Sequence, residues 1–111
     1  MRRVVITGLG AITPIGNTVN EFWKNIIAGK SGAGPITKFD ASKFKTRFAC
    51  EVKGFDGEAH IERKEIRKYD LFTQYAVVAT DEAIKDSGLN FGIMSVAERA
   101  EVGVIWASGN G

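Results

Sequence analysis

Apolar residues run along this chain in two rhythms, and the changes of rhythm divide it. Arg3-Val4-Val5-Ile6-Thr7 is a short β-branched run without polar alternation that stops at Gly8-Leu9-Gly10-Ala11-Ile12-Thr13-Pro14-Ile15-Gly16. Such a run predicts a strand covered on both faces, as in a parallel sheet, feeding a long shaped turn. The glycines permit positive φ or a close backbone approach, and Pro14 pushes Thr13 away from helix, so the first helix starts later. Its start is the T-x-x-E box of Thr18 and Glu21, with Phe22, Trp23, Ile26 and Ile27 following at helical spacing and Gly29 as the stop. That stripe predicts one apolar face laid on a sheet, with Trp23 in the core.

Periodicity dissolves from Lys30 to His60, where Gly32, Gly34, Pro35, Gly54 and Gly57 punctuate a long irregular connection of the kind that often carries function. Within it Phe48, Cys50 and Val52 alternate with Arg47, Glu51 and Lys53, the pattern of a short strand. Residues 70–86 regain the helical rhythm: Leu71, Phe72, Tyr75, Ala76, Ala79 and Ala83 share a face, and Gln74, Asp81 and Lys85 the other, with Val77 and Ile84 interrupting it. Asp81 and Lys85 are spaced for an ion pair, and Ser87-Gly88 ends the helix. After a polar connector, Glu101-Val102-Gly103-Val104-Ile105-Trp106-Ala107 predicts a second buried strand running into Ser108-Gly109-Asn110-Gly111. Two strands ending in glycine loops and separated by helices make an α/β layout, in which both loops are expected to face one crevice. With nothing to cover the last strand, the chain reads as the front part of something longer.

Composition narrows the options. In 111 residues, 44% hydrophobic content supplies a core, and a net charge of +2 is too small to argue for nucleic acid or membrane. No run reaches membrane-spanning length and no signal-peptide pattern opens the chain, so a cytoplasmic protein is expected. Cys50 is the only cysteine, which excludes an internal disulfide or a multi-cysteine metal site; its alternating position reads as a buried structural thiol, and its spacing from His60, the only histidine, has no general catalytic meaning. The first turn tempts a dinucleotide reading, but Thr13 stands where G-x-G-x-x-G needs its third glycine, and Pro14 blocks an immediate helix. The densest charge run, Glu62 to Asp70, carries Arg63, Lys64, Arg67 and Lys68. On a helix these form one strip with only Glu62 and Glu65 nearby, either a solvated surface or a receptor for an acidic partner.

Five blocks in order, V-V-I-T-G-L-G-A-I-T-P-I-G-N-T, F-D-A-S-K-F, R-K-E-I-R-K-Y-D-L-F-T-Q-Y, D-S-G-L and A-S-G-N-G, resemble the N-terminal portion of the type II 3-oxoacyl-[acyl-carrier-protein] synthases, the elongating condensing enzymes of fatty acid synthesis. The resemblance implies a thiolase-like fold, two similar mixed-sheet halves layered α-β-α-β-α in a homodimer, with residues 1–111 forming part of the first half. It implies condensation of malonyl-acyl-carrier protein with an acyl group held on a cysteine at a helix N-terminus, aided by two histidines and a lysine. None of these lies in this chain, and Cys50 does not match the nucleophile's motif. No metal or redox cofactor, no nucleic acid and no membrane are expected, and the partner is acyl-carrier protein. Similar enzymes use the basic block, here Arg63, Lys64, Arg67 and Lys68, to receive the carrier's acidic helix. They use an S-G-x-G-G stretch, here Ser108, Gly109 and Asn110, at the acyl cavity, where Asn110 stands at a position that is often apolar. Two other readings stay open: a non-catalytic chain-length-factor-like paralogue, and a nucleotide-binding oxidoreductase.

Overall fold

One long helix is the axis on which the other elements are hung. In the computed structural model, which describes residues 1–109, the elements are helix α1 (Val19–Ile27), the two-residue strands β1 (Gly34–Pro35) and β2 (Phe48–Ala49), a 3-10 turn at Gly57–Ala59, and helices α2 (Arg63–Ile66), α3 (Leu71–Ser87) and α4 (Val96–Ala100). The axis is α3, 17 residues capped by extended Asp70 and closed by Gly88, whose left-handed φ of 76° is a conformation that glycine adopts without steric cost. Its expected Asp81–Lys85 pair forms.

The N-terminal turn lies directly on α3. A Cβ at Gly8 would collide with the backbone at Ala83 and Ser87, and one at Gly10 with the backbone at Ala79 and Ala83. Small residues one turn apart on α3 thus face the two glycines, and the glycines serve close approach rather than positive φ, which among the described residues only Gly29, Gly54 and Gly88 adopt. Carboxylates on the same helix fix the turn: Asp86 Oδ2 accepts from the Leu9 amide and Glu82 Oε2 from that of Ala11, both at 2.9 Å. Glu82 Oε1 also accepts from the Val19 amide at 2.9 Å, so one side chain ties the turn and the first residue of α1 to α3. Thr13 and Gly16 pair backbone to backbone around Pro14, closing the turn.

Helix α1 starts as the capping pattern predicts, Thr18 Oγ1 accepting from the Glu21 amide, although the Glu21 carboxylate reaches Asn17 N instead of Thr18 N. The prediction for Trp23 fails. It is 60% exposed, and Ile26 and Ile27 are also exposed, because no sheet lies under this stripe.

Neither predicted buried strand forms among the described residues. Residues 3–7 and 102–107 form no regular structure and pair with no strand, with Val4 92% and Ile105 98% exposed. An apolar run becomes a strand only where another strand takes its backbone hydrogen bonds, and here none does. The segment 102–106 does meet the glycine turn: Gly8 and Gly10, α3 and residues 102–106 line one apolar cleft of about 360 Å³. The sheet that exists is β1 paired antiparallel with β2, Gly34 opposite Ala49 and Pro35 opposite Phe48, within the connection expected to be irregular. Among the described residues the buried apolar ones are Ala41, Ile61, Val78 and Ala79, and no large side chain is wholly enclosed. Phe55 is set edge-on against Tyr75 at 4.7 Å, and Gln74 and Ile66 both lie against Gly57, so the 3-10 turn meets both α2 and α3.

Candidate functional site

The basic block is carried on one short helix and the turn after it. Helix α2 spans only four residues, Arg63 to Ile66, with Arg67 as C-cap in helical conformation and Lys68 beyond it. The long strip expected from sequence is therefore a single turn, and Lys68 continues it through its amide on the Glu65 carbonyl. The helix ends early because the 66–70 segment must turn into the separate N-terminus of α3. All four cations are exposed, while Ile66 and Tyr69 are half-buried and Ile66 lies against Gly57. Lys68 pairs with Glu65 at 2.7 Å, and among the described residues Arg63, Lys64 and Arg67 form no ion pair. Three free cations on one turn set up a local positive potential that a small net charge conceals.

Ser108 and Gly109 are exposed beyond the 102–107 run, outside the cleft that joins Gly8, Gly10 and residues 102–106. A side chain at Gly109 would meet nothing. Asn110 and Gly111 lie outside the described residues.

Cys50 is exposed, against the expectation of a buried thiol: strand pairing stops at Ala49, so the alternation that would have turned Cys50 inward is not imposed. His60 is exposed at the end of the 3-10 turn. Among the described residues no cluster of histidine, cysteine and carboxylates could hold a metal ion.

The dinucleotide reading fails on geometry. Where a pyrophosphate would take the amides at the first turn, α3 fills the space over Gly8 and Gly10, and the carboxylate of Glu82 already occupies the amide of Val19.

Sequence reasoning missed three residues that organise this region. Glu82 passes unremarked in the helical pattern, and Asp86 marks only the end of a helix. The third, Lys53, places Nζ 2.8 Å from the Gly32 carbonyl, 3.1 Å from that of Glu51 and 3.4 Å from that of Pro14, drawing three loops together. Its neighbour in space, Asn17, donates to the Lys53 carbonyl at 2.7 Å while its buried Oδ1 has no partner. Signals existed only in part: a carboxylate four residues before another on a helix rich in alanine hints at buried work, but a lysine in a glycine-rich loop is indistinguishable from a surface one.

Three carboxylates sit below the usual carboxylate range. Hydrogen bonds from the Thr37 hydroxyl and amide lower Glu51, the Ser42 amide lowers Asp40, and the Ser95 amide lowers Glu98 at the start of α4.

Comparison with known proteins places this geometry. The family described as "Beta-ketoacyl synthase, N-terminal domain" matches residues 1–111. The chain is 46% identical over 110 residues to 3-oxoacyl-[acyl-carrier-protein] synthase 2 of Synechocystis sp., covering 99% of this chain and 26% of that protein. It is 47% identical over 110 residues to the protein of the same name from Vibrio cholerae, with the same coverage, so it spans about a quarter of the length of these curated relatives. Among solved structures it resembles the ishigamide ketosynthase/chain length factor, with a TM-score of 0.74 and 43% identity over 80% of this chain and 22% of the other. The fold is therefore a portion of the thiolase-like ketosynthase fold, and the α/β class expected from sequence holds.

Proposed function

Since the chain belongs to the beta-ketoacyl synthase N-terminal domain family, we propose that it is part of a 3-oxoacyl-[acyl-carrier-protein] synthase. The observation that carries this reading is identity near one half, sustained over 99% of the chain, to relatives bearing that name. The reaction is a decarboxylative condensation. A cysteine thiolate attacks the acyl thioester and expels the carrier thiol; malonyl-carrier protein then loses CO2, and its carbanion attacks the enzyme-bound acyl group and displaces the thiolate. The product is 3-oxoacyl-carrier protein. The catalytic groups belong to the rest of the protein. Residues 1–111, part of its first half, supply scaffold and surface, and the enzyme works in the cytoplasm as a homodimer without metal or redox cofactor.

Arg63, Lys64, Arg67 and Lys68 form the docking surface for the acidic carrier protein. Their exposure and the three unpaired cations support this, because exposed charge speeds the encounter with a partner that must leave again. In the full enzyme, reversing Lys64 and Arg67 together raises KM for acyl-carrier protein, more at low salt than at high, while turnover of a small acyl-thioester mimic stays near normal. Unchanged carrier kinetics at low ionic strength would leave the block a solvated surface. Ser108, Gly109 and Asn110 border the acyl cavity; replacing Asn110 with phenylalanine shifts the profile of turnover against acyl length, and an unchanged profile removes Asn110 from that role.

The name of the similar ketosynthase/chain length factor structure keeps a second reading in view, a subunit that has the fold without the nucleophile. Incubating the full protein with acyl-carrier protein and weighing it separates the two: an enzyme gains the mass of one acyl group, and a chain-length factor gains none.

A further inference from the structure

A second basic surface lies outside the 63–68 block, in the segment between β1 and β2. That segment is a closed surface loop: β1 pairs with β2 at its base, the Ile36 amide donates to the Arg47 carbonyl at 3.0 Å, and Ala41 is buried beneath it. Loops whose ends meet and whose interior is filled by their own side chains hold a fixed shape at low entropic cost. Here the shape is held from several sides. The Phe44 amide donates to the Ala41 carbonyl at 3.0 Å, Arg47 Nε to the Phe44 carbonyl at 3.1 Å, and the Ser42 amide to Asp40 Oδ1 at 3.0 Å. At the base, Glu51 takes the Thr37 hydroxyl at 2.7 Å and the amides of Thr37 and Lys38.

What this scaffold presents is unusual for a loop. Lys38, Lys43, Lys45 and Arg47 are all exposed, against one carboxylate in the same stretch, Asp40, whose Oδ1 is committed to the turn at Ser42. Between them Phe39 and Phe44 stack edge-on at 5.7 Å, yet are 54% and 57% exposed. Among the described residues Lys43, Lys45 and Arg47 form no ion pair, and covering them calls for a surface that brings negative charge, since a buried cation without a counter-charge is costly. An apolar centre ringed by cations is the anatomy of a contact for an acidic protein, with aromatic anchors to bury and charge to orient.

We infer that the 38–47 loop is a second docking surface for the acidic carrier protein, distinct from the 63–68 block. This rests on the synthase reading above. Phe39 and Phe44 receive an apolar spot on the carrier, and Lys43 and Lys45 flank it with charge.

The test uses the full-length enzyme. Kinetics with acyl-carrier protein and with a small acyl-thioester mimic are compared for wild type, Lys43→Glu/Lys45→Glu, Phe44→Ala, and the milder Lys43→Gln/Lys45→Gln, with Lys64→Glu/Arg67→Glu alongside. Charge reversal in the loop raises KM for carrier protein roughly threefold or more at low salt, the neutral pair by less in the same direction, and the mimic is unaffected. The inference falls if carrier KM is unchanged while the Lys64/Arg67 variant raises it, and it falls equally if carrier and mimic kinetics decline together, which would make the loop merely structural. Pelleting with vesicles containing anionic lipid and gel shift with a single-stranded oligonucleotide complete the experiment: binding there that loop reversal abolishes, with carrier kinetics intact, assigns the loop to a different partner and overturns the proposal. A wild-type enzyme without carrier-dependent turnover would instead refute the functional reading itself.

Discussion

Gly10 shows how a residue can be conspicuous in sequence for one reason and required for another. A glycine-rich turn after an apolar run invites a phosphate, yet the space a side chain would need is taken by the backbone of α3 at Ala79 and Ala83. Gly10→Ala therefore lowers stability of the full protein by about 1–3 kcal/mol, read from denaturant midpoints, because neither backbone can yield. Glu82→Ala strands the amides of Ala11 and Val19 and costs on the order of 1–3 kcal/mol, with Glu82→Gln recovering part of it. Glu51 and Asp40 make the loop between β1 and β2 sensitive to acid. Their carboxyls sit lower when folded than when unfolded, so their stabilisation is complete at neutral pH and fades as pH falls through and below the ordinary carboxylate range. Protection of the Thr37, Lys38 and Ser42 amides, taken relative to their intrinsic exchange rate at each pH, should fall over that acid range and be flat above it. Of these roles only the special nature of the glycines was legible beforehand, since an acceptor's partners are chosen by tertiary approach that no spacing encodes.

Helices were read well because their information is local. Thr18, Glu21 and Gly88 act on neighbours within one turn, so α1 and α3 begin and end close to where the capping and stop residues place them. Thr18→Ala accordingly removes about 1 kcal/mol from the first helix, measurable as a lowered Tm of the full protein. The same local logic would have found α4, where Ser95 and Glu98 form a reciprocal capping box in a stretch passed over as a polar connector. Strands carry the opposite lesson. Val4 to Ile6 and Val104 to Trp106 have the composition of buried strands, but pairing is a property of two segments, and among the described residues neither run is paired. The cationic face of α2 was legible as charge, whereas its length was not, because the turn into α3 is set by packing around Ile61 and Ile66.

Over the whole molecule, dimensions agree with what the elements imply. A radius of gyration of 17.2 Å exceeds the roughly 13 Å of a self-contained domain of this length, and among the described residues the buried apolar ones are few and small beside the exposed Trp23, Ile105 and Trp106. Produced alone, residues 1–111 should melt without a sharp calorimetric transition and bind a hydrophobic dye; a single cooperative transition would contradict this. The fold family was accessible from motif order, and the want of a large sheet among the described residues was not, since strand pairing depends on which segments approach one another. The seat of the glycine turn on α3 also sets a timetable. The amides of Leu9 and Ala11 are satisfied by acceptors 77 and 71 residues later in the chain. At ordinary rates of synthesis the ribosome needs on the order of ten seconds to make that helix. Throughout that interval the turn at Gly8 to Ala11 has no helix to sit on, and its amides stay with water until Glu82 and Asp86 emerge.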